Sequence, residues 1–376
     1  MNKKRVEDRV LLLLAIKPPG KIVNLDHIVE KISRDAGASE SEVIAALNEL
    51  IKKGLARVAK DGYLVTDAGR KEAWKLAYDS EMNLSYRLVL LARFYYPQIS
   101  SLILPFLRNR PVSVVKIFSD ESDPIRKVKP IFSRYRKLKP RTYHLLSSEK
   151  DLLRYVDMHA IDFIPYVHRI GVNYPDWLVI DIDAGEDIKK AEDLGFELIK
   201  EVLKELYIVM KEDLFLNPYI KFSGSRGFQV WVTFEKPIGN FEDYRKCVDI
   251  IRDLVEDRLR DKYDELREKY GDLIYEPITT TTVAKKDLRR RQILLDWSSM
   301  KPEGDVRAPW SMHYKTGLVS VPVYFEELDT FKLEDARVEK VVEQKEYLKK
   351  AFSLEPSDPS ELKKKLGRGG ILTFFG

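Results

Sequence analysis

Apolar positions recur at helical spacing over residues 5–16, and Lys17-Pro18-Pro19-Gly20 cannot continue that helix. Residues 26–36 repeat the pattern. Ser39 with Glu42 three residues on forms a capping box ahead of an apolar-periodic stretch at 43–51, which Gly54 ends. Residues 55–58 and 63–65 flank Lys60-Asp61-Gly62, the pattern of a β-hairpin closed by an Asp-Gly turn, and Thr66 opens a further helix. Beyond residue 78 the spacing predicts helices at 88–94 and 100–107, a strand at 110–118, and a stretch at 144–156 that leads through Tyr166 to an apolar run at 177–183. One long amphipathic helix is expected over 189–211, apolar at Leu198, Ile199, Val202, Leu203 and Leu206, and a long charged helix over 241–270. Further strands are expected at 219–222, 228–234, 292–295 and 318–323.

Three helices followed by a hairpin resemble a winged helix, which defines a domain over 1–77 with residues 40–53 in the place of the recognition helix. That helix would meet a duplex, with Lys52 and Lys53 among its contacts. Glu40, Glu42 and Glu49 on the same helix fit a protein-docking module as well. The mixture of strands and helices that follows predicts an α+β or α/β multidomain chain, its second domain (78–335) built of mixed sheets flanked by helices, with a basic helical or flexible tail at 336–376.

Composition narrows the class. A chain of 376 residues with 44% hydrophobic and 33% charged content is globular and long enough for two or three cores. A formal charge of +5 permits nucleic acid as a partner without requiring it. The single cysteine, Cys247, falls in an expected helix, so no disulfide framework and no cysteine-based zinc site is expected. High Lys, Arg and Glu content with one cysteine fits a thermophile, and an archaeal source is expected. No apolar run is long enough to span a membrane and the N-terminus lacks a signal-peptide core, so an intracellular, nucleoid-associated protein without a membrane partner is expected.

The candidate chemistry lies in the run Trp177-Leu178-Val179-Ile180-Asp181-Ile182-Asp183. Alternation places Asp181 and Asp183 on one strand face about 7 Å apart. Their mutual repulsion is relieved by a divalent cation, a basic neighbour or protonation, and hard oxygen ligands suit magnesium or manganese. A strand end whose aspartates cap the next helix has the same pattern, since Glu186 and Asp187 follow. Downstream, Ser223-Gly224-Ser225-Arg226-Gly227 separates two strands and can turn its amides toward an anion, although plain hairpins look similar. Asp296 is a third strand-end carboxylate, just after Arg289-Arg290-Arg291, and a later loop carries His313 and Lys315. Residues 127–139 are dense in Lys and Arg, including Arg134 and Arg136, with Phe132 and Tyr135 interleaved; phosphate contact with base stacking and a solvated basic surface are both open.

In this order, Asp181-Ile182-Asp183, the run from Ser223 through Gly227-Phe228-Gln229-Val230, and Leu294-Leu295-Asp296 with its His313 loop resemble the archaeo-eukaryotic primase superfamily over roughly residues 95–330. Ala160-Ile161-Asp162-Phe163-Ile164-Pro165-Tyr166, Pro175-Asp176-Trp177 and Arg110-Pro111-Val112 are similar to the polymerase domain of bacterial DNA ligase D and its archaeal stand-alone relatives. The run from Ala308-Pro309-Trp310 to Val321-Pro322 is closer to the small catalytic subunit of replicative primase, whose zinc motif one cysteine cannot supply. The ligase D branch is therefore favoured. The resemblance implies a template-dependent nucleotidyltransferase that extends primers or fills gaps at DNA ends. Primer synthesis and a catalytically weak DNA-binding adaptor are the alternatives. It further implies that Asp181, Asp183 and Asp296 hold two Mg2+ or Mn2+ ions, that Ser223, Gly224, Ser225 and Arg226 hold phosphates of an NTP or dNTP, and that His313 and Lys315 sit against them. Two positions depart from the pattern: Gln229 stands where the family has histidine, and Ile164 where ligase D polymerases place a nucleotide-stacking histidine, with His159 and His168 close in sequence.

The chain ends Arg368 to Gly376 with Ile371 three residues before Phe374-Phe375, which resembles a sliding-clamp-binding peptide lacking its leading glutamine. A tail that tucks these aromatics into its own core is the other reading. A ligase or nuclease partner leaves no readable trace.

Overall fold

The computed structural model describes residues 3–78, 82–281 and 291–372. The chain divides into two compact units, one of Met1–Ser100, Val114–Ser133 and Ser148–Asp162, the other of Ser101–Ser113, Arg134–Ser147 and Phe163–Gly376.

The chain begins with α1 (Lys3–Ala15), α2 (Leu25–Ala36), α3 (Glu40–Lys52), the antiparallel hairpin β1 (Ala56–Ala59) and β2 (Gly62–Val65), and α4 (Asp67–Lys75). Leu12, Leu14, Ile28, Val43 and Leu47 are buried here, as the helical periodicity requires. The capping box is formed: the Ser39 amide donates to Glu42 Oε2 at 2.8 Å and the Glu42 amide to Ser39 Oγ at 3.4 Å. Then come α5 (Leu84–Leu107), β3 (Val112–Ser119), β4 (Val128–Ser133), the hairpin β5 (Tyr135–Leu138) and β6 (Arg141–Tyr143), α6 (Glu149–Asp157) and β7 (Ala160–Pro165). Strands β4, β3 and β7 form a sheet in that order. The two helices expected at 88–94 and 100–107 are one helix, α5, despite Pro97. Tyr95, Tyr96, Ile99 and Ile103 are fully buried along it, and that burial outweighs the missing proline N–H.

The remaining elements are β8 (Leu178–Ala184), α7 (Glu186–Lys190), α8 (Glu192–Ile208), β9 (Tyr219–Phe222), β10 (Phe228–Val232), α9 (Phe241–Asp261), α10 (Tyr263–Tyr270), β11 (Thr279–Thr280), β12 (Ile293–Asp296), β13 (Pro322–Val323), α11 (Val338–Lys350) and α12 (Ser360–Leu372). Their six strands form one mixed sheet in the order β11-β12-β8-β10-β9-β13, antiparallel except for the β11–β12 pair. Leu198, Val202, Leu203 and Leu206 of α8 are fully buried, and Phe196 stacks on Phe228 with ring centroids 5.4 Å apart. The helix expected over 189–211 is broken between α7 and α8, where Glu192 takes φ of 45°, and ends in a wider turn at Val209–Asp213. The helix expected over 241–270 breaks at Lys262. Only Pro322–Val323 of the strand expected at 318–323 joins the sheet as a strand.

Two features fix the entrance to β8. Arg110 is 3% exposed; its Nη2 lies 2.7 Å from Asp176 Oδ2, its Nη1 donates to the Tyr166 carbonyl at 3.0 Å, and its guanidinium sits 3.8 Å from the centre of the Trp177 ring. Trp177 in turn meets Trp231 at 4.7 Å, and Phe106 and Phe352 close the cluster around Trp231 at 6.3 and 5.8 Å. Phe352 and the buried Ser357, whose amide donates to the Thr233 carbonyl and whose Oγ accepts from the Asn217 amide, hold the C-terminal stretch in this unit. The stretch expected as a basic helical or flexible tail carries α11 and α12, and Leu362 of α12 is buried. Cys247 is a core residue of α9 whose thiol burial pushes up to about 12.

Candidate active site

Strand register brings the predicted residues into one row. β8 is central, and its Val179, Ile180 and Ile182 are fully buried, so Asp181 and Asp183 are the positions left near the surface. On one side, Asp296 of β12 lies directly opposite Asp181, and Leu294 opposite Asp183. On the other, Gln229 of β10 lies opposite Asp181 and also opposite Lys221 of β9. The sequence Asp296, Asp181, Gln229, Lys221 therefore crosses four adjacent strands on one sheet face.

The electrostatics follow from that row. Burial, reinforced by the neighbouring Asp183 and Asp296, raises the Asp181 carboxyl to about 6, while Lys221 and Arg307 pull it down. Lys221 is fully buried and donates to Ser320 Oγ at 2.6 Å; Arg307 Nη1 donates to the Ser223 carbonyl at 2.9 Å. Neither cation was singled out in the sequence, because each owes its place to a cross-strand or loop contact. The one available signal was a lysine inside the apolar strand at 219–222. The carboxylates have other partners: Lys189 Nζ lies 2.8 Å from Asp183 Oδ2, and Asp296 accepts from the Ser298 amide and hydroxyl at 2.6 and 2.9 Å.

The loop between β9 and β10 is held against the His313 loop. A Cβ on Gly227 would come within 2.4 Å of the Ile182 carbonyl oxygen, so only glycine lets this loop approach β8. Gly224 has φ of 91°, and a Cβ there would meet His313 Cβ at 2.9 Å. Thr316 Oγ1 donates to the Gly224 carbonyl at 2.6 Å. Around His313 Nδ1 lie the amides of Lys315 and Thr316, at 3.4 and 3.3 Å, and Thr316 Oγ1 at 3.2 Å. Ser223 is buried and its Oγ accepts from the Gly227 amide at 3.3 Å; Ser225 is half-buried, and Arg226 and Lys315 are exposed. Arg226 also lines a cleft of about 580 Å³ with Lys189, Phe196 and Phe331.

The histidines near Ile164 are committed elsewhere. His168 Nε2 accepts from the Glu303 amide at 3.0 Å, and His159 is pushed down to about 4 by burial and by Arg93, Lys17 and Lys116. Ile164 itself is half-buried on β7. Among the expected DNA contacts, Lys53 is engaged by Glu7, Lys52 and Arg136 are exposed, and Arg134 lies 3.6 Å from Asp305. The β5–β6 hairpin is anchored by Tyr135 and Tyr143, whose hydroxyls donate to the Glu303 carboxylate at 3.1 and 3.2 Å. Arg289, Arg290, Phe374 and Phe375 lie outside the described residues, as does the side chain of Ile371.

No cluster of three or more His, Cys, Asp or Glu side chains is gathered closely enough to hold a metal ion among the described residues. The donor set nonetheless fits a hard divalent cation: Asp183 and, from the adjacent strand, Asp296 raise the Asp181 carboxyl, the condition that added positive charge relieves. No described helix is long and apolar enough to cross a membrane.

The polymerase domain of Mycobacterium tuberculosis ligase D, solved in complex with DNA, superposes with a TM-score of 0.52 at 17% identity, covering 69% of this chain and 91% of that one, which establishes a shared fold. An uncharacterized protein of Methanocaldococcus jannaschii is 41% identical over 63 residues, 17% of this chain; the chain spans only 12% of that relative's length. Residues 91–352, well over half of the chain, match the primase-polymerase domain of LigD, and the chain belongs to that family.

Proposed function

We propose that the chain is a template-directed nucleotidyltransferase that extends primers or fills gaps at DNA ends. The observation that carries this reading is the in-register row of Asp296, Asp181 and Gln229 beside the Ser223–Gly227 and His313 loops. Asp181, Asp183 and Asp296 would hold divalent magnesium or manganese. Bound there, such ions supply charge neutralisation for an in-line phosphoryl displacement. His313 would meet a triphosphate oxygen through its imidazole, the Ser223–Gly227 loop offers hydroxyls, and Arg226 and Lys315 add exposed positive charge. Lys221 stays buried and its charge draws the Asp181 carboxyl down.

The test is extension of a labelled primer on a gapped template with Mn2+, with rNTPs and dNTPs in separate reactions. Template-dependent extension by the wild type is expected, and the two pools report the sugar preference. Intact DNA binding without any extension would overturn the reading in favour of a DNA-binding adaptor. That second reading is favoured by Gln229, which cannot carry charge, and by Ile164.

Nucleic acid would lie along the basic hairpin. Arg136, Lys137, Lys139 and Arg141 are exposed there, and the helix-and-hairpin arrangement of residues 3–75 supports a winged helix as a further contact through Lys52. Changing Arg136, Lys137 and Lys139 together to alanine is expected to lower the slope of log K against log salt by about two to three units, measured by fluorescence anisotropy with a primer-template. An unchanged slope would place the duplex elsewhere. Recruitment to a sliding clamp through residues 368–376 is part of the same proposal, carried by sequence alone.

A further inference from the structure

Gln229 is 4% exposed and lies between Asp181 and Lys221 on neighbouring strands. Two residues along the same strand face, the Nε1 of the fully buried Trp231 lies 3.2 Å from Gln229 Oε1. An indole nitrogen can only donate, so the amide atom facing it is the oxygen. The Gln229 NH2 is thereby the half of the amide that does not face Trp231. Flipping the amide would set donor against donor in a buried site, which leaves the indole N–H without an acceptor. Trp231 cannot swing aside to accommodate a flip, since Trp177, Phe106 and Phe352 surround its ring and Lys221 Nζ sits 5.5 Å from the ring centre.

We propose that Trp231 is a positioning residue: its indole N–H fixes the Gln229 amide so that the NH2 is presented, as a neutral donor beside Asp181, to a phosphate oxygen of a bound nucleoside triphosphate. The proposal rests on the nucleotidyltransferase reading for its substrate. It explains how an uncharged side chain serves at this row position: its geometry is set by a second residue, and the nearby positive charge comes from Lys221 on the adjacent strand.

The experiment is a double-mutant cycle read in two ways: binding of dATP and of ATP in Ca2+ by calorimetry, and single-nucleotide extension in Mn2+. Trp231→Phe removes the N–H. Because it also opens space in the aromatic cluster, benzothienylalanine at position 231 is the second variant, keeping the bicyclic shape and lacking the donor. Both are expected to weaken dATP binding and slow extension by about 10- to 100-fold, the range for one hydrogen bond to a charged group. Neither should add to the loss in a Gln229→Ala background, and Gln229→His should restore function in the Trp231→Phe background because histidine does not need the indole. Equal losses in the wild-type and Gln229→Ala backgrounds, nucleotide binding indifferent to benzothienylalanine, or binding of neither dATP nor ATP by the wild type would each overturn the proposal. Indole-dependent dATP binding without any extension would sink the polymerase reading and leave this one standing.

Discussion

Asp181→Asn is expected to abolish primer extension, by about a thousandfold or more, while making the protein more stable in EDTA. The two effects have one cause. In the folded chain the Asp181 carboxyl is raised to about 6, against an ordinary value of 3.8, by burial and by Asp183 and Asp296. The folded state therefore binds this proton more tightly than the unfolded state. Its stabilising contribution is complete below pH 3.8 and is lost as pH rises through 6, so at neutral pH the ionised carboxylate is a standing cost on the order of 1–3 kcal/mol. Asparagine keeps the shape and removes the charge, so the melting temperature at pH 7.5 without metal should rise by a few degrees, and the gain should vanish below pH 4. Mn2+ should raise the wild-type melting temperature and do less for the variant, since ligand binding stabilises only a state that can hold it. Full activity in Asp181→Asn would remove the carboxylate row from the mechanism. A lower melting temperature in EDTA would mean that Lys221 and Arg307 already neutralise the site.

Arg110→Ala should cause the largest loss of stability, roughly 3–5 kcal/mol, the cost of breaking one partner out of a buried ion pair. The arginine does three things at once: it pairs with Asp176, caps the Tyr166 carbonyl and covers Trp177. Without it, Asp176 keeps only the more exposed Arg169, at 3.3 Å. Arg110→Lys should recover less than half of the loss, because an ammonium cannot stack on the indole and donate in two directions together. Since Asp176 and Trp177 lead directly into β8, extension should fall in both variants, and the fall should track the loss of structure by circular dichroism. Wild-type stability in Arg110→Ala would show that Arg169 and water suffice for Asp176.

Much of the site was legible beforehand because its signals are local. An apolar β-branched run ending in Asp-x-Asp needs no partner to be read as a buried strand delivering two carboxylates, and β8 spans Leu178–Ala184. The capping box at Ser39 and the Asp-Gly turn are likewise written within a few residues. Helix continuity was harder. The helices expected at 88–94 and 100–107 run together through Pro97, whereas nothing local marked the breaks at Glu192 and Lys262.

The sequence by itself determined the kind of chemistry: three strand-end aspartates, a glycine-containing loop able to turn its amides toward an anion, and a histidine loop, in an order that identified the family. Only the tertiary structure decided how these parts act on one another. Register put Asp296 opposite Asp181 and Lys221 next to Gln229. The physical reason is that cross-strand neighbours are a few ångströms apart in space while being tens of residues apart in the chain. Coulomb and hydrogen-bond energies depend on the first separation and leave no pattern in the second.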